Sequence, residues 1–290
     1  MISVLIPVYN FAVEDLILQL IRQLNQAKVQ FEILVLDDHS SKFSDQYQQF
    51  DQLETVTVLK SEENLGRSKA RNLLAKKARF EFLLFLDCDS LLVKDSFIKT
   101  YLNHAGANKV LIGGTRYKDD HAAAKRLHWL YGKKRESIDQ SGFKSNNFLI
   151  SKEDFSKIRF DESLVQYGHE DTLLGIHLKK NGVEIIRIDN PVYHCGLEDN
   201  EVFVKKSLLA VENAWKLYRE GKIKAEDIRL LKIYHNWTDS FLGRIFLTFI
   251  RNSCKLWLKY CLAKEPRLFA LDFLKICKLE ELSRKEHSAE

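Results

Sequence analysis

Two carboxylates one residue apart follow a short apolar run in this chain of 290 residues. The stretch Phe80–Ser90 reads F-E-F-L-L-F-L-D-C-D-S, which places Asp87 and Asp89 directly after the run. Phe and Leu that do not alternate with polar residues predict a strand buried on both faces. Two acids at the carboxyl end of such a strand can share one hard divalent cation and the phosphates that it carries. Acidic residues are also typical of ordinary turns, so the choice between a metal site and a turn depends on the neighbouring segments.

Two further polar clusters follow predicted strands. Ile2–Val8 is apolar and leads into Tyr9 and Asn10, and Phe31–Leu36 leads into the polar run 37–41, D-D-H-S-S. Apolar residues at helical spacing separate these strands, and strands that alternate with helices predict a mostly parallel sheet with right-handed crossovers. All three polar clusters then lie at one edge of the sheet, where ligands of such sheets bind.

A predicted helix, Gly66–Ala78, begins with a glycine and carries basic residues in its first turns. These are Arg67, Lys69 and Arg71. Amide N–H groups and cations at a helix start suit a diphosphate, although basic residues on a helix are also typical of a solvated face.

Four motifs in this order and at these distances resemble one family. The segments I-P-V-Y-N, L-D-D-H-S-S, E-N-L-G-R-S-K-A-R-N and L-F-L-D-C-D-S are similar to the nucleotide-sugar half of a family 2 glycosyltransferase of the GT-A fold. The resemblance implies an α/β, Rossmann-like fold with a mostly parallel central sheet flanked by helices. It also implies inverting transfer of a sugar from a nucleotide diphosphate, UDP as a rule, to an acceptor hydroxyl in cell-surface glycan or polysaccharide assembly.

The resemblance assigns roles to individual residues. The loop Pro7–Tyr9 borders the base, Asp37 or Asp38 accepts a hydrogen bond from uracil, and Arg71 lies near the base or the phosphates. The residues predicted to bind the nucleotide sugar are Pro7, Val8, Tyr9, Asp37, Asp38, Asn64, Gly66, Arg71, Asp87, Cys88, Asn146 and Asn147. The predicted ligands of a divalent cation, Mn²⁺ or Mg²⁺, are Asp87, Asp89 and His194.

Glu170 and Asp171 stand where a loop meets the predicted helix Thr172–Lys180. Acids at a helix start are favoured as caps and by the helix dipole, which is a purely structural interpretation. The resemblance implies instead that Asp171 is the catalytic base and that Glu170 supports it or binds the acceptor.

The composition of the chain argues against a nucleic-acid-binding protein and bears on the cellular compartment. The chain has 45 basic and 40 acidic residues, a net charge of +5, and no nucleic-acid-binding motif. Five cysteines without a C-x-x-C pair indicate reduced thiols and a cytoplasmic protein, which could lie at the inner face of the membrane.

The partners implied by the resemblance are a nucleotide-sugar donor and a glycan or lipid-linked saccharide acceptor.

The patterns after about Glu198 are helical, which predicts a catalytic domain over 1–200 and a helical extension over 201–290. Phe241–Leu262 reads as one helix whose basic residues, Arg244, Arg251, Lys255 and Lys259, share a face. This pattern is typical of peripheral membrane contact, here through residues 241–279. Packing on the catalytic domain, or on a second copy in a homodimer, would account for it equally well.

Two other functions use similar residues. A nucleotidyltransferase of related fold would need the same carboxylates but also a Gly-rich basic loop after the first strand, which I-P-V-Y-N-F-A-V-E does not provide. A catalytically silent scaffold at a membrane would need only the basic helices.

Overall fold

The computed structural model describes residues 1–138, 142–164 and 167–287. The chain forms two compact units. The first consists of Met1–Lys118, Asp139–Val165 and Glu170–Gly196, and the second of Asp119–Ile138, Gln166–His169 and Leu197–Glu290. The second unit therefore includes residues 119–138 in addition to the helical segment predicted from residue 201 onward. The functional division at residue 200 stays a prediction.

The described strands all lie in the first unit, and the helices lie in both. The strands are β1 (Ile2–Val8), β2 (Phe31–Asp37), β3 (Val56–Lys60), β4 (Phe82–Leu86), β5 (Ser90–Leu92), β6 (Lys109–Ile112), β7 (Thr115–Arg116), β8 (Asn147–Ser151), β9 (Glu184–Arg187) and β10 (Val192–His194). The helices are α1 (Glu14–Ala27), α2 (Ser44–Gln48), α3 (Gly66–Lys77), α4 (Phe97–His104), α5 (Arg126–Tyr131), α6 (Lys152–Ile158), α7 (Glu170–Lys180), α8 (Asn200–Arg219), α9 (Arg229–Thr238), α10 (Phe241–Asn252), α11 (Cys254–Cys261) and α12 (Leu268–His287).

Seven strands form the central sheet, in the order β3-β2-β1-β4-β8-β6-β9. Every pairing is parallel except those of β8, which runs antiparallel to both of its neighbours. The prediction of a mostly parallel sheet is confirmed. Val8 pairs with Asp37, and β4 lies on the other side of β1, so the carboxyl ends of β2, β1 and β4 are neighbours. The strand order reverses here, where open α/β sheets bind their ligands.

Helices cover both faces of this sheet. Val4 and Ile6 of β1 belong to one buried cluster together with Leu16 of α1, and Leu5 belongs to another together with Leu74 of α3. Successive side chains of a strand point to opposite faces, so a strand that is apolar at every position needs both coverings. Residues of β1 are buried for this reason, and the chain can bear polar groups only where the strand ends.

A second, three-stranded sheet in the order β5-β10-β7 stands beside the acidic pair. In it, β10 runs antiparallel to β5 and pairs His194 with Ser90. These strands are two or three residues long, too short to produce a periodic pattern, and the sequence predicted no strand at β5 or β7. Their pairing brings His194 to the end of β4.

The segment Phe241–Leu262 was predicted as one helix, and that prediction is wrong. The structure has α10 and α11, separated at Ser253, whose φ of −105° and ψ of 9° are not helical. Asn and Ser side chains compete for backbone hydrogen bonds, which disfavours a helix interior at Asn252 and Ser253. Arg251 lies 3.8 Å from Glu280 of α12 and does not continue the predicted stripe of exposed cations. Among the described residues, no helix has the length and apolar character needed to cross a bilayer.

Two cysteines of the second unit differ from the expectation of reduced thiols. Cys254 at the start of α11 and Cys277 of α12 form a disulfide, while Cys88, Cys195 and Cys261 are free thiols. The sequence could not indicate the pair, because the two residues are 23 positions apart in no recognisable spacing. The expectation of reduced thiols is wrong for these two residues.

We expect Glu32 to stabilise the amino end of the sheet. Its buried carboxylate accepts hydrogen bonds from Ser3 Oγ (2.6 Å), from the Arg79 amide (2.6 Å) and from Arg79 Nε (2.8 Å). Glu32→Ala leaves a buried hydroxyl and an amide without this acceptor and should lower the free energy of unfolding by about 2–4 kcal/mol in urea titrations. The exposed Glu153, whose carboxylate bonds Lys157 in the first turns of α6, is the control, and Glu153→Ala should lower the free energy of unfolding by less than about 1 kcal/mol. Equal effects of the two substitutions would contradict this role.

Candidate active site

The loops after β1 and β2 are joined by short hydrogen bonds. The Asp38 amide donates to the Val8 carbonyl (2.8 Å), and Asn10 Oδ1 accepts from the amides of Ser41 and Lys42 (2.9 Å each). Asn10 adopts a left-handed backbone with φ of 52°, a conformation that Asn tolerates better than most residues. The sheet edge is therefore an organised surface rather than a set of independent loops.

The side chains that this edge exposes include Tyr9 and Asn64. Tyr9 is 53% exposed, whereas Val8 belongs to the core and its carbonyl is already bonded, so Tyr9 is the residue of the predicted Pro7–Tyr9 loop best able to stack on a base. Asn64 is exposed and donates to the Asp38 carbonyl (3.3 Å). The contacts predicted for these residues remain predictions.

Asp37 and Asp38 are both buried and both bonded within the protein. Asp37 accepts from the Ser40 amide (2.8 Å) and from Ser44 Oγ (3.1 Å) and thereby holds its own loop. A carboxylate offers about four lone-pair sites, so either acid retains capacity for one more donor such as a uracil N–H. The choice between them as the base contact stays open.

Asp38 also caps α3. Its two carboxylate oxygens accept from the amides of Leu65 (2.6 Å) and Gly66 (3.0 Å), where Gly66 has φ of 76°. A negative charge at a helix start satisfies its orphan amides and suits the helix dipole. The expectation that the amides at this helix start are available to a diphosphate is therefore wrong for Leu65 and Gly66.

Arg71 is the centre of the site. It is 1% exposed, its Nη2 donates to Asp87 Oδ1 (2.6 Å), and its Nη1 lies 3.9 Å from Glu170 Oε1. The guanidinium also stands over the ring of Phe160, 5.3 Å from its centroid. Nη1 makes no hydrogen bond with the described residues, so a buried donor remains between the two acids. Arg71 thus joins the end of β4 to the start of α7.

Cys88 separates the two acids of the D-x-D motif and is a protonated thiol. Burial, together with the nearby carboxylates of Asp89 and Asp87, raises the pKa of Cys88 to about 12. A neutral thiol is a poor ligand for a hard cation such as Mg²⁺ or Mn²⁺. Cys88 therefore packs the site, and the carboxylates beside it are the groups that can bind metal.

Asp89 and His194 come together as predicted for a metal pair. His194 Nδ1 lies 3.3 Å from Asp89 Oδ1, and the Cys195 amide donates to the Asp89 carbonyl (2.7 Å). A side chain at Gly196 would overlap Asp89 Oδ2, so glycine is needed for this close approach. Asp87, the third predicted ligand, is bonded to Arg71, and its metal role stays a prediction.

This donor set suits a cation that is bound together with its substrate. Within the described ranges, no group of three or more His, Cys, Asp and Glu side chains is arranged to hold a metal by itself. One carboxylate and one imidazole are nevertheless ligands that Mn²⁺ accepts, and Mg²⁺ commonly takes one or two carboxylates with the remaining positions filled by phosphate oxygens and water. The residues present fit a metal that arrives with a diphosphate.

The two asparagines predicted to contact the donor sugar differ. Asn147 is 0% exposed, its amide donates to the carbonyls of Gly114 and Asn190 (3.0 Å each), and its Oδ1 accepts from Tyr101 (2.7 Å). It is a core residue, and its predicted sugar contact is wrong. Asn146 is half-buried immediately before β8 and its amide donates to Thr115 Oγ1 (2.7 Å), so its contact with the donor sugar stays a prediction.

Glu170 and Asp171 begin α7 but face different partners. Glu170 is buried and lies 3.9 Å from both Arg71 and Arg67. Asp171 is half-buried, and its Oδ1 accepts from the Thr172 amide next to it (2.7 Å). The pairing of Arg67 with Glu170 was not predicted, and neither was Tyr117, whose ring lies 5.4 Å from that of His194. No local pattern marks these contacts, because they join segments far apart in the chain.

The fold is that of the GT-A glycosyltransferases, and residues 3–162 match the model of glycosyl transferase family 2. The chain belongs to that family. A Rickettsia bellii protein described as an uncharacterized glycosyltransferase is 29% identical over 147 residues, which are 51% of this chain and 20% of that protein. The chain spans at most 59% of the length of the other curated relatives that it matches.

Two of the similar solved structures each cover 97% of this chain. The mannosyltransferase PcManGT from Pyrobaculum calidifontis, in complex with GDP-Man and Mn²⁺, has a TM-score of 0.59 at 13% identity, covering 97% of this chain and 86% of that one. S. aureus TarS 1-349 in complex with UDP has a TM-score of 0.50 at 19% identity, covering 97% and 91%. At these identities the likeness concerns the fold.

We expect Asp38 to stabilise the free protein through its cap on α3. Asp38→Ala removes the acceptor of two amides and should lower the free energy of unfolding by about 1–2 kcal/mol in urea without any nucleotide, and Asp38→Asn, which keeps one oxygen, should lower it less. Asp45→Ala, at an exposed acid of α2, is the control. An unfolding curve of Asp38→Ala that superimposes on the wild type would leave Asp38 no structural role.

Proposed function

We propose that this protein transfers a sugar from a UDP-sugar to an acceptor hydroxyl, with inversion at the anomeric carbon and with a divalent cation. The observation that carries the proposal is the convergence on Arg71 of Asp87 and Glu170, from the D-x-D motif and from the acidic motif at α7. The residues that we propose for nucleotide binding and the residue that we propose as base belong to one compact unit, which supports the proposal. Membership of family 2 favours this function over the nucleotidyltransferase and scaffold alternatives.

The donor would bind at the carboxyl edge of the sheet. Tyr9 is exposed for stacking on the base, Asp37 or Asp38 would accept its N–H, and Arg71 Nη1 is a buried donor for an anionic oxygen. UDP is preferred because the motifs resemble UDP-dependent members of the family and because TarS, of the same fold, is described with UDP. PcManGT is described with GDP-Man, so the nucleobase of the donor must be identified by a binding experiment.

Asp89 and His194, with Asp87 as a further candidate, would hold the cation. When bound, the cation supplies positive charge that stabilises the diphosphate leaving group. PcManGT is described with Mn²⁺, which supports a divalent ion without distinguishing Mn²⁺ from Mg²⁺. Arg71 adds a fixed guanidinium that needs no reorganisation when the charge develops.

Asp171 is the proposed base and Glu170 a positioning residue. The Glu170 carboxylate faces Arg71 and Arg67, whereas a base must face the hydroxyl that attacks. Asp171 stands beside it and is only half-buried, so its carboxylate can take the proton of an acceptor on the face of the sugar opposite the diphosphate. The acceptor class that we propose is a glycan or a lipid-linked saccharide, in cell-surface glycan assembly.

Removing the metal-binding carboxylate should separate nucleotide binding from metal binding. UDP with Mn²⁺ should raise the melting temperature of the wild type, since a ligand at a hundredfold excess over its Kd stabilises the native state by about 2.7 kcal/mol. Asp89→Ala should lose the Mn²⁺-dependent part of this shift and the transfer activity while melting normally without ligand. Asp95→Ala, six residues further on at an exposed ion pair with Arg22, is the matched control. A normal metal-dependent shift and normal turnover in Asp89→Ala would remove the proposed metal role.

Replacing the base should affect chemistry rather than binding. Asp171→Asn should reduce kcat by about 10²–10⁴-fold, since this is the range of general base catalysis, with little change in the Kd for UDP and Mn²⁺. Glu170→Gln should behave differently, because loss of its charge leaves Arg71 with less compensation and should weaken donor binding and thermal stability together. Single-turnover kinetics and calorimetry measure the two effects. If Asp171→Asn lost UDP affinity instead, Asp171 would be a donor ligand and not the base.

A further inference from the structure

The segment between Ser240 and Lys264 of the second unit is basic. It has five basic residues and no acidic one. These residues are Arg244, Arg251, Lys255, Lys259 and Lys264. The segment therefore has a local net charge of +5.

The same segment contains the large apolar side chains with the highest exposure. Phe241 and Leu242 are 75% and 74% exposed, the highest values for large apolar residues in the described part of the chain. Ile245 and Phe249 follow at helical spacing and are also more than half exposed, while Leu247 on the opposite side of α10 is buried. Helix α10 thus packs with one side and presents a second apolar side to the surroundings. Exposed apolar patches of this kind mark interaction sites.

Aromatic contacts join α10 and α11 through α12. Phe249 and Phe246 have ring centroids 6.4 Å apart, Phe246 lies 6.0 Å from Phe273 of α12, and Phe273 lies 4.8 Å from Trp257 of α11. Trp257 is buried and is 6.4 Å from Phe269, which is half exposed. The three helices therefore share one aromatic cluster, whose outer members Phe246, Phe249 and Phe269 are exposed.

The same segment also exposes cations. Lys255 and Lys259 are exposed and lie four residues apart on one side of α11, and neither forms an ion pair with the described residues. Arg244 is exposed among the apolar residues of α10. Long basic side chains can lay their stems on apolar surface while the charged heads reach a polar layer. Arg251, which pairs with Glu280, does not contribute to this arrangement.

We propose that this surface, which we call the α10–α11 face and define by Phe241, Leu242, Ile245, Phe249, Lys255 and Lys259, docks on an anionic lipid bilayer. Its apolar side chains would enter the boundary between headgroups and acyl chains, and its lysines would contact lipid phosphates. A second copy of the chain is a poorer partner, because pairing two such faces would oppose cations to cations. A small soluble anion would use the lysines but would leave the exposed Phe and Leu unexplained.

This inference is independent of the proposed transferase activity, although docking on a bilayer would suit a lipid-linked acceptor. Its test is co-sedimentation of the full chain with vesicles of phosphatidylcholine, alone or mixed with phosphatidylglycerol, and it requires no turnover. The wild type should bind the mixed vesicles most strongly, and added salt should weaken that binding. Circular dichroism of each variant checks that it is folded.

Two double variants separate the apolar from the electrostatic contribution. Phe241→Gln with Leu242→Gln should reduce binding to both vesicle types, since it removes the most exposed apolar residues. Lys255→Gln with Lys259→Gln should reduce binding to the anionic vesicles by about fivefold for each cation removed. Lys76→Gln with Lys77→Gln, at two exposed lysines of α3, makes the same charge change elsewhere and should bind normally.

Three outcomes would overturn the proposal. One is failure of the folded wild type to sediment with either vesicle. Another is equal loss of binding in the Lys76 and Lys77 control, which would assign the effect to net charge. The third is a dimer in sedimentation equilibrium that Phe241→Gln with Leu242→Gln dissociates, without vesicle binding by the wild type, which would make the face a contact between copies.

Discussion

A buried cation determines how this site is built. A guanidinium that is almost inaccessible to water is expensive unless anionic groups compensate it, and Arg71 is 1% exposed. Its compensation comes from Asp87 at the end of β4 and from Glu170 at the start of α7, which are distant in the chain. The interaction is therefore possible only when the sheet and α7 are both formed. The geometry of the site is in this way tied to the cooperative folding of the first unit.

Buried polar groups need partners within the protein, and this requirement divides the polar residues of the sheet edge into buried residues with internal partners and exposed residues. Asp38 and Asn147 satisfy buried groups of the protein, the amides of Leu65 and Gly66 in one case and the hydroxyl of Tyr101 in the other. These residues hold the loops and the core in place. Tyr9 and Asn64 are exposed instead, and they are the side chains of this edge that we propose for contacts with a ligand. Both groups look alike in the sequence, since each consists of small polar residues after apolar strands.

Sequence patterns predicted the central sheet well because β1, β2 and β4 are continuous apolar runs that end abruptly. The patterns also predicted that the polar clusters after these strands lie at one edge of the sheet, because parallel strands place their carboxyl ends together. They could not show the short strands β5 and β7, and so the approach of His194 to Asp89 rested on resemblance to a family rather than on spacing. The inward direction of Asn147 and the break at Ser253 depend on tertiary contacts that no local pattern records.

The charges explain why a cation belongs to the proposed reaction. The edge collects acidic residues from the ends of β2 and β4, among them Asp37 and Asp89, and Glu170 of α7 contacts Arg71 beside them. A nucleotide diphosphate would add more negative charge there. Of the basic residues in the motifs of the edge, Arg71 is buried between two acids and Arg67 lies 3.9 Å from Glu170. Arg71 is already compensated by its two acids, so it cannot neutralise a diphosphate alone. A divalent ion that enters with the donor, as the pair of Asp89 and His194 would allow, provides the missing positive charge without another buried side chain.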